Sequence, residues 1–235
     1  ARDLKSVLDE AEAWSAGDYA RFLALGGDAT REQRTAALDR LARYTGLERR
    51  YLDLSDLRVP IQNFCKELMR SERRTVGRLD SRFTGVDDRV VSETPEFDPS
   101  MAAIRPPYTA MFNQYVRAEL GYKTDLTYHI LGGGIGPWDW GSAGSGFADV
   151  SGALRAAFSR NPDMRLFVAS GYYDLATPYF ATDYTLAHLM LEPAERARVM
   201  TREYEAGHMM YIHEGELARL KHDVVEFIRG ALAAK

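Results

Sequence analysis

Two short segments near the C-terminal end carry the residues best suited to chemistry, RLFVASGYYDLATP (165–178) and VMTREYEAGHMMY (199–211). Each reads as a β-strand running into a loop that begins with a glycine, Gly171 in one and Gly207 in the other. The first loop presents Asp174 and the second presents His208. A carboxylate that accepts a hydrogen bond from the imidazole Nδ1–H fixes the tautomer and stabilises the imidazolium formed on proton transfer. The other ring nitrogen is then free to act as a base toward a hydroxyl. An Asp followed by a His, each just past a strand, is the order of the last two members of one class of Ser–Asp–His triad. The glycines are expected to allow the tight turns that aim the two side chains across the sheet edge. Taken alone, an Asp after a strand is a turn residue or helix cap, and a lone His is structural. The matching contexts and the order raise the pair above those readings.

The serine that would complete such a triad is nowhere in front of them. Gly-x-Ser-x-Gly needs glycines two before and two after the serine. Ser142 has Trp140 before it, Ser145 has Ala143 before it and Phe147 after it, and Ser170 has Val168 before it. Cys65, in IQNFCKELM, sits between apolar neighbours on an expected helix and reads as a buried small hydrophobe. Metal binding finds no support either. His208 and His213 are five apart, on different faces of a helix, and the string beginning His213-Glu214 lacks the histidine that a zincin motif would place at Leu217. His129, His188 and His222 have no ligand-like spacing, so neither a metal nor a cofactor is expected.

The elements that must position these residues follow from periodicity. Leu4, Val7, Leu8, Ala11 and Trp14 recur at helical spacing. Thr30 and Gln33 form a capping-box pattern ahead of a helix through Leu38, Leu41 and Ala42, which Gly46 can end. Ile61, Phe64, Cys65 and Leu68 mark a further stripe after Pro60. The Gly, Asp and Pro content of 76–98 predicts irregular structure with short strands around TVGRLDSRF, and 99–121 resumes a helix interrupted or started by Pro106-Pro107. GGGIGPWDWGSAGSG (132–146) is loop by composition, and Trp138 and Trp140 suggest that it packs on the core or lines a cleft.

Beyond it, strand and helix alternate: a helix over 150–159, a strand over 165–170, a helix from Pro178 with Thr177 as N-cap, a strand over 199–205, and a final helix with Leu217, Leu220, Val224, Phe227 and Ile228 on one face. Such alternation predicts a parallel sheet with crossover helices, and active groups gather beyond the carboxyl ends of its strands. The expected organisation is a mainly helical region over 1–147 and an α/β segment over 148–235.

A chain of 235 residues with 46% hydrophobic content can bury a full core. Lys plus Arg total 30 against 34 Asp plus Glu, a balance that argues against general binding to nucleic acid or an anionic membrane. The basic stretch 48–82 interleaves nine Arg or Lys with six acids and reads as an ion-paired surface. The one cysteine excludes an intramolecular disulfide. No apolar run reaches the ~18 residues of a membrane span, and the opening ARDLKSVLDEAEAW is an amphipathic helix pattern rather than a signal peptide.

ASGYYDLATPYFATDYTLAHL and YEAGHMMYIH resemble the C-terminal signature of the serine carboxypeptidase family, in a bacterial branch, and FCKELMRSERRTVGRLDSRFTG resembles the region inserted over its active site. The resemblance runs along nearly the whole chain. It implies an α/β-hydrolase fold with a largely helical cap, and removal of C-terminal residues from peptide substrates through an acyl-enzyme. Asp174 then matches the triad Asp, His208 the triad His, and Met209 a position that contributes to the substrate pocket in some relatives. The family's nucleophile, oxyanion donors and carboxylate-binding groups precede the part that this chain resembles. The resemblance therefore implies the cap and C-terminal catalytic segment of such an enzyme, inactive alone, and a periplasmic or secreted setting. A small sheet of last strands presents an unpaired edge, so either self-association through that edge or its coverage by the helical part is expected. The alternatives are an esterase or acyltransferase built on the same pair, and a non-catalytic helical interaction module.

Overall fold

The computed structural model describes residues 3–130, 136, 139–141 and 148–233, so Trp138, Ser142 and Ser145 lie outside the described residues. The architecture is mixed α/β and mostly helical, with two sheets of two strands each among the described residues. The chain divides into two compact units, Ala1–Pro99 and Ser100–Lys235. The boundary expected at 147/148 falls inside the second unit.

The first unit is built from α1 (Leu4–Trp14), α2 (Ala20–Leu25), α3 (Arg31–Thr45), α4 (Arg49–Leu54) and α5 (Ile61–Glu67), followed by a hairpin of β1 (Arg74–Val76) and β2 (Thr84–Val86). Local chemistry fixes the ends of α3. The Gln33 N–H donates to Thr30 Oγ1 at 3.2 Å while the Thr30 N–H donates to Gln33 Oε1 at 2.9 Å, and Gly46 closes the helix at φ 74°. Phe22, Leu38, Leu47, Leu52 and Leu57 form the core that these helices share. β1 and β2 are antiparallel with Thr75 opposite Gly85. A Cβ on Gly85 would lie 2.5 Å from the tip of the exposed Phe97 ring, which would have to move aside to admit it.

Polar groups clasp the irregular stretch after the hairpin. Lys66 Nζ lies 2.7 Å from Asp87 Oδ2 with both side chains fully buried, and Lys66 also donates to the Arg89 carbonyl. Asp87 accepts from the Arg89 and Glu96 N–H groups as well. Burial pushes the Asp87 carboxyl up, but the Lys66 ammonium and these N–H groups overcome it and hold it below the ordinary value. Cys65 is buried as expected, and burial, reinforced by Asp98, pushes its thiol up to about 11. Arg70–Glu67 and Arg82–Asp80 are ion-paired in the basic stretch.

The second unit opens with α6 (Pro99–Gln114), continues through a π-helical turn over 115–119, and resumes at α7 (Ser151–Arg160). Pro106 and Pro107 lie inside α6 without ending it. Their missing N–H groups release the carbonyls of Ala102 and Ala103, but both residues are exposed, so water can satisfy those oxygens. Then follow β3 (Leu166–Gly171), α8 (Tyr179–His188), α9 (Pro193–Arg196), β4 (Val199–Tyr204) and α10 (Glu214–Ala233). β3 and β4 pair in parallel with Leu166 opposite Val199 and Gly171 opposite Tyr204. α10 closes one side of this pair: Phe167 meets Phe227, and the Tyr204 hydroxyl donates to Asp223 Oδ2 at 2.8 Å. On the expected apolar face of α10, Leu217 and Ile228 remain exposed.

Candidate functional site

The parallel ladder continues past the strands and sets the site. Beyond Gly171 the Tyr172 N–H donates to the Tyr204 carbonyl at 3.0 Å, and the Tyr173 N–H to the Ala206 carbonyl at 3.1 Å. The two loops are thus stitched together one residue before Asp174 and two before His208. The glycine in the first loop is needed for this approach. A Cβ on Gly171 would sit 2.3 Å from the Gly207 carbonyl oxygen and 2.4 Å from that of Ala206, and its φ lies outside the left-handed region. The expected role of Gly171 in permitting a tight turn is therefore corrected: it allows two backbones to touch.

This stitching brings Asp174 and His208 together. His208 Nδ1 lies 2.8 Å from Asp174 Oδ2, a charge-assisted hydrogen-bond distance. Asp174 is 4% exposed, whereas the His208 side chain is 43% exposed and its Nε2 makes no hydrogen bond with a described residue. The pair therefore has a buried, fixed acid and an open imidazole edge.

Asp174 is held from its other side by its own loop. Oδ1 accepts the N–H groups of Ala176 at 2.7 Å and Thr177 at 3.0 Å, the Asx-type arrangement of an aspartate over its following turn. Oδ2 accepts the Thr177 hydroxyl at 2.6 Å as well as the His208 ring. Burial raises the carboxyl's proton affinity, but the Thr177 hydroxyl and N–H, then His208 and the Ala176 N–H, outweigh it and keep Asp174 below the ordinary value. An ionised Asp174 can only accept, so the His208 Nδ1 must be the protonated nitrogen and Nε2 the free base of the neutral ring.

Thr177 is the residue that sequence reasoning missed. Its hydroxyl was expected to cap the helix from Pro178; in the structure Pro178 takes the cap position of α8, and Thr177 turns back to Asp174 instead. Thr177 Oγ1 is also 3.2 Å from His208 Nδ1, so it closes a three-membered polar cluster. The signal was present as D-x-A-T ahead of proline, an aspartate followed by donors to its own carboxylate.

Met209 lines a cavity of about 290 Å³ together with residues of α6 and of the segment 128–130. His188 and His213 take local structural partners. His188 Nδ1 is 2.7 Å from the Tyr184 carbonyl, and His213 Nδ1 accepts the Glu216 N–H at 3.3 Å at the start of α10. His222, Asp223 and Glu226 have ligand atoms within 4.8 Å of one another. However, Asp223 already accepts from Tyr204 and lies 3.9 Å from Arg202, while His222 and Glu226 form an exposed pair at 3.3 Å. Trp140 is exposed. Among the described residues no helix is long and apolar enough to cross a membrane. No protein-family model matches the chain, and no curated protein or solved structure matches it significantly.

Proposed function

We propose that this chain is the cap and C-terminal catalytic segment of a serine carboxypeptidase-like α/β-hydrolase. The observation that carries the reading is the 2.8 Å contact between His208 Nδ1 and Asp174 Oδ2 at the carboxyl ends of two parallel strands, with Nε2 left open. In this reading residues 1–147 contribute the helical cap. His208 Nε2 takes the proton of an attacking serine hydroxyl and later returns it to the leaving amine; Asp174 holds the tautomer and stabilises the imidazolium. The serine and the oxyanion donors come from outside these 235 residues, since no Gly-x-Ser-x-Gly occurs among them. The open Nε2 edge supports this, because a base aimed at a group from elsewhere must not be occupied by its own chain.

The test has two arms. Reading the gene upstream of the codon for Ala1 is expected to reveal an in-frame strand–Gly-x-Ser-x-Gly–helix segment; a start codon immediately before Ala1 supports a non-catalytic helical module instead. The product of the complete reading frame is then assayed on N-blocked dipeptides with a free C-terminal carboxylate. His208→Ala and Asp174→Asn are each expected to lower kcat by roughly 10⁴-fold. The isolated chain should show neither turnover nor labelling by a fluorophosphonate. Labelling of the isolated chain, or a His208→Ala enzyme with full activity, would sink the proposal.

A further inference from the structure

α6 is a helix almost without a buried face. Of its 16 residues only Pro99, Ser100 and Ile104 are buried. Helices in proteins draw most of their stability from a packed apolar face, and Pro106 and Pro107 remove two backbone hydrogen bonds from this one. Yet an apolar face is present. Tyr108, Met111, Phe112, Tyr115, Tyr122 and Leu126, on α6 and the turns that follow it, are each 43–76% exposed. At roughly 200 Å² per large side chain they leave about 700 Å² uncovered, more than the largest apolar patch of an ordinary monomer. Phe112 stacks on Tyr128 at 4.4 Å between centroids. The stack is a ridge with a hollow on each side, one of about 290 Å³ beside Tyr108 and one of about 200 Å³ beside Tyr122 and Leu126.

The charges along the same face decide what fits it. Arg105, Tyr108, Phe112, Tyr115 and Glu119 follow one another at alternating steps of three and four, the spacing of a helix–helix seam. The π-helical turn over 115–119 keeps Tyr115 and Glu119 about one turn apart on that side. The aromatic centre is thus closed by a cation at one end and an anion at the other, each seven residues from Phe112. Both charged side chains are exposed, and neither makes an ion pair among the described residues. A second α6 laid antiparallel across the first, with the two-fold axis at Phe112, sets Arg105 of each copy against Glu119 of the other. The same rotation turns the Phe112–Tyr128 ridge of one copy toward the hollows of the other. A two-fold copy requires a cation and an anion at equal distances from the centre; an unrelated partner does not. The open area is also close to the ~800 Å² that each partner contributes to a stable interface. We infer that the α6 face, from Tyr108 to Leu126, is a symmetric interface between two copies of this chain. This surface lies outside the Asp174–His208 chemistry and does not depend on it.

Sedimentation equilibrium of the chain over a range of concentrations is the test, with circular dichroism spectra to show that each variant keeps its fold, as exposed positions allow. The wild type is expected to dimerise. Tyr115→Glu places a charge in the aromatic centre and should weaken the dimer by about 30-fold or more. Arg105→Glu and Glu119→Arg each set like charges together twice per dimer and should each weaken it about tenfold. Mixed in equal amounts, these two variants should form a heterodimer of near wild-type affinity, because each then meets the opposite charge at both ends. A monomer at every concentration overturns the interface. Association that Tyr115→Glu leaves unchanged also overturns it, and assigns the contact to the edge of the β3–β4 sheet. A mixture that fails to restore what the single swaps lose overturns the two-fold pairing. The product of the complete reading frame supplies the last arm. A full-length monomer overturns the dimer, and a lowered melting temperature of its Tyr115→Glu variant would identify another part of the same chain as the cover. None of these readouts involves turnover, so the Asp174–His208 assignment is judged apart from them.

Discussion

Replacing Gly171 with alanine tests the link between the strand ladder and the polar pair. The new Cβ would stand 2.3 Å from the Gly207 oxygen and 2.4 Å from the Ala206 oxygen, where ordinary contacts begin at 3.4 Å. Both obstacles are backbone carbonyls, which cannot rotate aside as the end of a side chain can. Relief requires the end of β3 and the 206–208 loop to part by about 1 Å, a movement that takes a hydrogen bond of normal length out of its productive range. The Tyr173 N–H to Ala206 bond at 3.1 Å and the His208–Asp174 bond at 2.8 Å both span that gap. Forcing an extra methyl into a packed site costs about 1–3 kcal/mol, and a lost hydrogen bond about 1 kcal/mol more. For a chain of this length that lowers Tm by roughly 5–15 °C. Gly230→Ala is the opposite control: nothing lies within 4 Å of its Cβ position in the exposed part of α10, and the helix should gain about 0.5–1 kcal/mol. Thermal melts followed by circular dichroism give the energies, and the side-chain ¹⁵N spectrum of His208 reports whether Nδ1–H still donates. A Gly171→Ala chain that melts with the wild type and keeps the His208 signal unchanged would refute the reasoning.

Thr177→Val removes the 2.6 Å donor to Asp174 Oδ2 and should cost about 1.5–3 kcal/mol, make Asp174 easier to protonate in a carboxyl ¹³C titration, and be reversed by Thr177→Ser. Asp174 and Asp87 both lie below the ordinary carboxylate value when folded, so their contribution to stability is full above about pH 4 and is lost as pH falls through the folded values; Tm should drop steeply there in acid melts. Glu203 has the opposite sign: burial, with Asp183 nearby, raises it, so Glu203→Gln should raise Tm at pH 7 and not in acid. Lys66→Met strands a buried Asp87 and should destabilise the first unit by about 3–5 kcal/mol, read as a lowered melting temperature that Lys66→Met with Asp87→Leu partly restores. β3 and β4 form a sheet of two strands, and light scattering should show concentration-dependent association through the unpaired edge; a clean monomer at every concentration counts against it.

What was legible in the sequence is what neighbours along the chain decide. The Thr30–Gln33 box, the Gly46 stop, the stripe of α5 and the two strand-then-loop segments each depend on a few adjacent residues, and each is found within a residue or two of its expected place. The Pro106-Pro107 pair was expected to break or start a helix because its local effect is unfavourable. The exposure of Ala102 and Ala103, which lets water take the released carbonyls, is a property of the folded unit. Gly171 could be marked as special, but the reason for it is a carbonyl at Gly207, 36 positions away. Thr177 had two partners within reach, the helix end beside it and the carboxylate three residues before; a charged acceptor is the stronger of the two, and it wins. The cavity wall runs from Met101 to Met209, and no local pattern announces such a meeting.

The geometry of the Asp174–His208 pair owes nothing to a nucleophile. Its distance is set by the β3–β4 register, by two further ladder bonds from Tyr172 and Tyr173, and by the bare Gly171 that lets the loops touch. Asp174 is kept ionised by donors from its own turn, so the imidazole has its acceptor before any third group arrives. Behind the pair, Tyr204 is fully buried and tied to Asp223 of α10, with Arg219 over its ring at 4.9 Å, which anchors the strand four residues ahead of His208. A base assembled in this way is preorganised: a hydroxyl brought within about 3 Å of Nε2 would meet an imidazole whose tautomer and orientation are already fixed. The same independence makes the pair a reporter. Every perturbation above that separates β3 from β4 must lengthen the 2.8 Å contact.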